Sequence, residues 1–213
     1  MDVLNADTWN LLSETYGFIG NSLLKPMNQT ATTGLDSNFW ESFPRAVDNE
    51  LVEQGLSKLV AYATEASVLD EAKAIENASV EFTHLFIGPP SPAAPPWETM
   101  NRAEDVTIGF GRATHEMREK LREAGLELSN ENHQYEDHIG IELLYLSAMC
   151  SRFASDEPSE EQVSALNDFI SERPLSWIAN LRQKVEADTP NGYIDGLVTL
   201  AEGILVGNVQ LLK

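Results

Sequence analysis

Glu136, Asp137 and His138 stand in a row just ahead of an apolar helical run. Carboxylates are candidate acceptors for a cationic ligand, which the acidic balance of the chain favours. Glu131 offers a further acid close by. Neighbouring residues on a regular helix diverge by about 100°, so Asp137 and His138 cannot both aim into one groove. One contacts a ligand while the other caps, or Asp137 is simply an N-cap and His138 a first-turn surface residue. The apolar counterpart lies earlier. Phe82, Leu85 and Phe86 share one helix face through spacings of three and four, an arrangement that serves a core as readily as a groove. Trp97 then presents a flat apolar surface behind Pro95 and Pro96. A rigid wall of this kind lowers the entropy cost of gripping a flexible ligand, and the plainer reading is a Pro-rich spacer.

Other chemistries find little support. Glu81-x-x-His84 has the spacing of half a di-iron site in a helical bundle. A second copy is required, yet His115, His133 and His138 follow Arg112, Asn130 and Tyr135 at the third position. His84 therefore reads as structural. Cys150 is the single cysteine, which excludes an internal disulfide and a thiolate zinc site within one chain. There is no Walker-type phosphate loop and no Gly-x-Ser-x-Gly elbow. Neither a cofactor, a metal nor enzymatic turnover is expected.

The elements that must position these residues are helical. Trp9, Leu12, Tyr16, Ile19 and Leu23 step by three and four after Asp7, a candidate N-cap, and Pro26 closes the run. Asp36 is placed to cap a short helix through Phe39, Trp40 and Phe43. Further stripes run from Val52 to Ala63, from Leu69 to Phe86, and from Val106 through Phe110, Met117 and Leu121 to a stop at Gly125. Ile141 to Phe153 follows. Ser159-Glu-Glu-Gln162 is a capping box, Pro174 suits a first turn, and a last helix starts near Tyr193. Five prolines between Pro89 and Pro96 break the pattern with a stiff, extended crossing. The expected fold is a single all-α domain of about nine or ten helices, with an N-terminal half over residues 1–125 and a C-terminal half over residues 137–213. The polar 126–136 segment is either a surface loop or a hinge, so a monomer and a domain-swapped dimer are both compatible.

Thirty-four acids against fourteen Lys and Arg give a net charge of −20. That excludes nucleic acid as a partner and favours a cationic ligand. The N-terminus lacks the basic and apolar regions of a secretory signal, and no run approaches the length of a membrane span. The expected location is the cytoplasm, without membrane insertion.

Two signatures in order carry a family resemblance. Phe82-x-x-Leu85-Phe86-Ile87-Gly88-Pro89 leads through the prolines to Pro96-Trp97-Glu98-Thr99; Glu136-Asp137-His138-Ile139-Gly140-Ile141-Glu142-Leu143 follows. A weaker third match joins Phe169 to Pro174-Leu175-x-Trp177-Ile178. Over residues 80–205 the chain resembles the TorD/DmsD chaperones of redox-enzyme maturation. It departs at Asn101, where the family often has an aromatic, and at Tyr135, where it often has proline. The resemblance implies a TorD-like fold and a cytoplasmic chaperone that binds the twin-arginine leader of a molybdenum oxidoreductase precursor, delaying export until cofactor insertion and folding. It implies leader contact by Asp137, His138, Trp97, Leu85, Phe86, Phe82, Pro95, Pro96 and Glu136. Arg102 aligns with a basic residue near the groove in some members. Gly88 and Glu98 shape the loop. Two alternatives stay open: an assembly factor for a non-exported nitrate-reductase-type subunit, and a small-molecule or metal-dependent enzyme on a helical bundle.

Overall fold

The computed structural model describes residues 4–102, 110–128 and 134–212; Val106, Asn130, Glu131 and His133 lie outside them. Ten α-helices run in order among these residues: α1 (Ala6–Leu24), α2 (Ser37–Glu41), α3 (Glu50–Ala66), α4 (Glu71–Phe86), α5 (Thr99–Arg102), α6 (Arg112–Glu123), α7 (Ile139–Ser155), α8 (Glu160–Glu172), α9 (Pro174–Asp188) and α10 (Tyr193–Leu211). The all-α expectation holds; the β-type pairing among the described residues is an isolated antiparallel bridge between Trp97 and His138.

Local signals account for most boundaries. The Ser159 hydroxyl and Gln162 amide close the capping box of α8, Pro174 opens α9, and Asp36 caps α2. For α1 the cap is Asn5 rather than Asp7: its side chain accepts from the Thr8 N–H at 2.9 Å, which places Asp7 inside the first turn. Phe110 likewise falls outside its expected stripe, because α6 begins only at Arg112 and buries Thr114, Met117 and Leu121 instead.

The core is built on α10. Every residue from Tyr193 to Leu205 is buried, which explains why its sequence is apolar on all sides rather than on one stripe. By length and composition this helix could cross a membrane, yet 78% of the qualifying window is buried inside the protein. A Cβ on Gly55 of α3 would lie 2.5 Å from the Leu200 backbone nitrogen, so α3 lies almost backbone to backbone on α10. The N-terminus of α10 is closed from α4: Glu81 accepts from the Tyr193 and Ile194 N–H groups at 3.1 and 2.8 Å. His84, the other half of the Glu-x-x-His pair, meets Asp188 at 2.7 Å. Cys150 is a core residue whose thiol burial pushes up to about 12.

Helices from both sides of the 126–136 segment interleave, since α1 packs along α7. Small residues allow this. Ser13 and Ser147 exchange hydroxyl-to-carbonyl bonds of 2.9 and 2.7 Å, and Gly20 faces Gly140. A Cβ on Gly140 would sit 2.7 Å from the Gly20 carbonyl oxygen, on backbone that cannot swing aside. Gly140→Ala is therefore expected to destabilise the fold by about 1–3 kcal/mol, the usual range for forced overpacking. A lower urea midpoint at unchanged m-value checks this; an unchanged midpoint would contradict it.

Candidate functional site

The proline segment departs from a uniformly extended crossing. Gly88, at φ +89°, turns the chain, and a Cβ there would lie 2.6 Å from Ser91 backbone. The chain then folds back over the end of α4, where Ala93 and Ala94 donate to the His84 and Leu85 carbonyls at 3.3 and 2.8 Å. This satisfies carbonyls that the end of the helix would leave open. Only the Pro95–Trp97 half runs extended. It pairs with the start of α7: Ile139 N–H donates to the Pro96 carbonyl and Glu98 N–H to the Asp137 carbonyl, both at 2.9 Å. The two sequence signatures thus meet in one place.

Asp137 is sealed from solvent and saturated by donors. Its carboxylate accepts from the Thr99 N–H at 3.0 Å, the Thr99 hydroxyl at 2.6 Å and the Thr114 hydroxyl at 2.9 Å. Three segments are joined there: the proline crossing with α5, α6, and the entry to α7. His138, not Asp137, caps α7, its Nδ1 accepting from the Gly140 N–H at 3.0 Å. His138 is also fully buried, which rules out the alternative of an Asp137 cap with His138 on the surface. Burial lowers its pKa to about 3, so the ring is neutral and its proton sits on Nε2. Neither that N–H nor the Trp97 Nε1–H has a hydrogen-bond partner, although the two rings meet edge-on with centroids 6.1 Å apart.

The remaining predicted residues divide into floor, wall and rim. Phe82, Leu85 and Phe86 are core residues at 2%, 0% and 1% exposure, and they underlie the crossing without reaching its surface. Pro96 is buried and Pro95 half-buried. Trp97 is half-buried and meets the half-exposed Tyr135 edge-on at 6.1 Å; Tyr135 in turn meets exposed Phe110 at 5.5 Å. Glu136 is held by Arg118 in a two-bond fork of 2.7 and 3.0 Å. Burial pushes the Glu136 carboxyl up, but the Arg118 bonds and charge, with that of His115, bring it below its ordinary value.

Glu98 turns inward. It is fully buried and forms ion pairs with Arg173 at 3.2 Å and Arg102 at 2.9 Å, fixing the crossing to α9 and α5. Arg102 also bonds Ser176 at 3.1 Å. Behind Glu98 lies Glu142, whose Oε2 accepts from the Trp177 indole at 3.2 Å. Burial, followed by the Glu98 and Asp137 charges, holds the Glu142 carboxyl well above its ordinary range. Its Oε1 is buried and makes no hydrogen bond among the described residues.

Sequence reasoning missed Thr99, Thr114, Asn101, Arg118 and Arg173. Asn101, where the family often has an aromatic, donates to the Pro95 and Trp97 carbonyls at 2.8 and 2.9 Å and accepts from Lys184 at 2.8 Å. Hydrogen bonds at that position hold the crossing. The one signal in sequence is that Asn101 stands two residues after Thr99 and four after Trp97, within reach of the loop it follows. A separate apolar cavity of about 260 Å³ lies between α1, the end of α6 and α7, lined by Leu24, Leu121, Leu128 and Tyr145.

Asp137→Asn swaps one acceptor oxygen for an N–H₂ group that cannot accept from Thr99 or Thr114. The expected loss is about 1–3 kcal/mol of stability, read as a lower urea midpoint with a native circular dichroism spectrum before unfolding. An unchanged midpoint would show that the three donors do not depend on the carboxylate.

Comparison with known proteins agrees with this architecture. The family described as nitrate reductase delta subunit matches residues 46–183. A probable Tat proofreading chaperone DmsD from Haemophilus influenzae is 22% identical over 59% of this chain and 57% of its own length. Chaperone proteins TorD from Vibrio cholerae (strain O395) and Shewanella pealeana are 28% and 25% identical, over 59% and 61% of this chain and 59% and 58% of theirs. The chain therefore spans a little under three-fifths of the length of these curated relatives. With the delta-subunit match covering well over half of the chain, and TorD and DmsD among its relatives, the chain belongs to the TorD/DmsD-like nitrate reductase delta subunit family.

Proposed function

We propose that this protein is a cytoplasmic chaperone, acting as one helical domain, that binds the twin-arginine leader of a molybdenum oxidoreductase precursor and delays its export until the enzyme is complete. The observation that carries this reading is the aromatic row Trp97–Tyr135–Phe110, set where the two family signatures join. An aromatic row at the surface of a chain with net charge −20 suits a ligand that is cationic at one end and apolar beyond it. The names of the relatives, chaperones and a Tat proofreading chaperone among them, support the same reading.

In this scheme binding is reversible and involves no covalent chemistry. The leader's apolar stretch lies on Trp97, Tyr135 and Phe110, with Pro95 as the fixed edge. Phe82, Leu85, Phe86 and Pro96 support the row from beneath. Asp137 and His138 act chiefly as positioning residues, since their polar atoms are enclosed. The Trp97 and His138 N–H groups are enclosed as well, so what the row offers a ligand is aromatic surface. Glu136 is the acid at the rim, and Arg102 ties the crossing to α9 from behind.

Trp97→Ala is expected to weaken binding of an Arg-Arg leader peptide by about tenfold to thirtyfold, the cost of removing an aromatic anchor. Titration calorimetry gives the affinity, and a urea midpoint measured alongside separates binding from folding. Unchanged affinity would remove Trp97 from the site. Replacing the leader's Arg-Arg by Lys-Lys is expected to weaken binding, because a lysine cannot reproduce the fork. Equal affinity for both would favour recognition of the enzyme body instead.

A further inference from the structure

Arg118 occupies a setting that a foreign arginine would choose. Its Nε and Nη2 donate to the two Glu136 oxygens at 2.7 and 3.0 Å, the planar fork that guanidinium forms with carboxylate. Its Cζ lies 6.0 Å from the centroid of the Phe110 ring, within range of a cation–π contact. Phe110 is 41% exposed and leads through Tyr135 to Trp97, so carboxylate and aromatic face lie at one end of the aromatic row. The two partners are unequally held. The Glu136 side chain is 15% exposed, whereas that of Arg118 is 49% exposed. Glu136 belongs to the frame, next to buried Asp137, and Arg118 reaches it from the surface of α6. Among the described residues, His115 and Glu119, whose charges also act on the pair, come from α6 as well.

We propose that Glu136 and Phe110 form a guanidinium-binding site in which Arg118 is a resident stand-in, displaced when an arginine side chain of a bound peptide arrives. The source of that arginine rests on the leader-binding reading; the site itself does not. Displacement is an exchange of one forked pair for another, with Arg118 released to water. The carboxylate is paired before and after the exchange, and the guanidinium given up is half-exposed, so water screens the pair on that side. The resident also sets a threshold. A lysine brings a single point of charge and must evict a partner that makes two directed bonds, so it loses where an arginine breaks even. Discrimination between Arg and Lys then comes from competition inside the chain as well as from contacts to the ligand.

The test compares wild type with Arg118→Ala and Arg118→Gln. Removing the resident is expected to tighten Arg-Arg leader binding by about twofold to fivefold, matching the small worth of a half-exposed pair. It should also narrow the preference for Arg-Arg over Lys-Lys. Weaker or unchanged Arg-Arg binding in both variants would overturn the proposal. Ethylguanidinium, followed by the ¹³C shift of the Glu136 carboxyl, probes the site without any leader. A larger shift in Arg118→Ala than in wild type supports the site even if the leader does not bind, in which case only the leader reading falls. No Glu136 shift in either protein sinks the site, whatever the leader does.

Discussion

A carboxylate with no access to water survives only if donors replace the solvent it has lost, and Asp137 obtains three of them from two threonines in different helices. Its own backbone carbonyl takes a fourth bond from Glu98. The consequence is geometric. The proline crossing, the start of α6 and the entry to α7 cannot shift independently without stranding that charge. Trp97 keeps its place beside His138 because the residues on either side, Pro96 and Glu98, are bonded to Ile139 and Asp137. Beneath this junction Glu98 is held by Arg173 and Arg102, and burial beside it raises the Glu142 carboxyl well above its ordinary range.

A stiff frame of this kind suits reversible peptide capture. The buried polar groups fix where the aromatic row stands, so little conformational freedom is left to lose when a flexible segment settles on it. Exchangeable contacts are confined to the rim, where Arg118 and Glu136 meet with one side open to water. The division is physical: enclosed ion pairs are expensive to break, half-exposed ones are not. Tight holding and ready release are thereby assigned to different residues.

Much of the architecture is legible in the sequence because helices announce themselves by period and by caps. The Ser159 capping box and the Pro174 start are local chemistry, needing no tertiary contact to be read. The site is less transparent. In sequence Asp137 reads as an N-cap or a ligand contact and Glu98 as a loop-shaping residue, since nothing local tells a solvated carboxylate from one awaiting two threonines and an arginine far along the chain. Thr99 and Thr114 carry no signal of their own. Phe82, Leu85 and Phe86 do share one face, but period cannot say whether that face meets a core or a ligand. Phe110 fits a helical stripe by spacing and lies instead just ahead of α6, leaving its ring for the rim. The adjacency of Trp97 and Asp137, forty residues apart, is readable only through the family resemblance.

The indole N–H signals of the four tryptophans offer the most direct test, because their environments differ in a known way. Trp40 already donates to the Gly34 carbonyl and Trp177 to Glu142, while Trp9 is enclosed in the core. Trp97 alone of the four has a half-buried ring at the aromatic row, its N–H, like that of Trp9, making no bond inside the protein. In a ¹⁵N–¹H titration with an Arg-Arg leader peptide, the Trp97 indole signal should move while the other three hold still. A stationary Trp97, with the largest shifts at Leu24, Leu128 and Tyr145 around the cavity between α1 and α7, would place the peptide elsewhere and contradict the account.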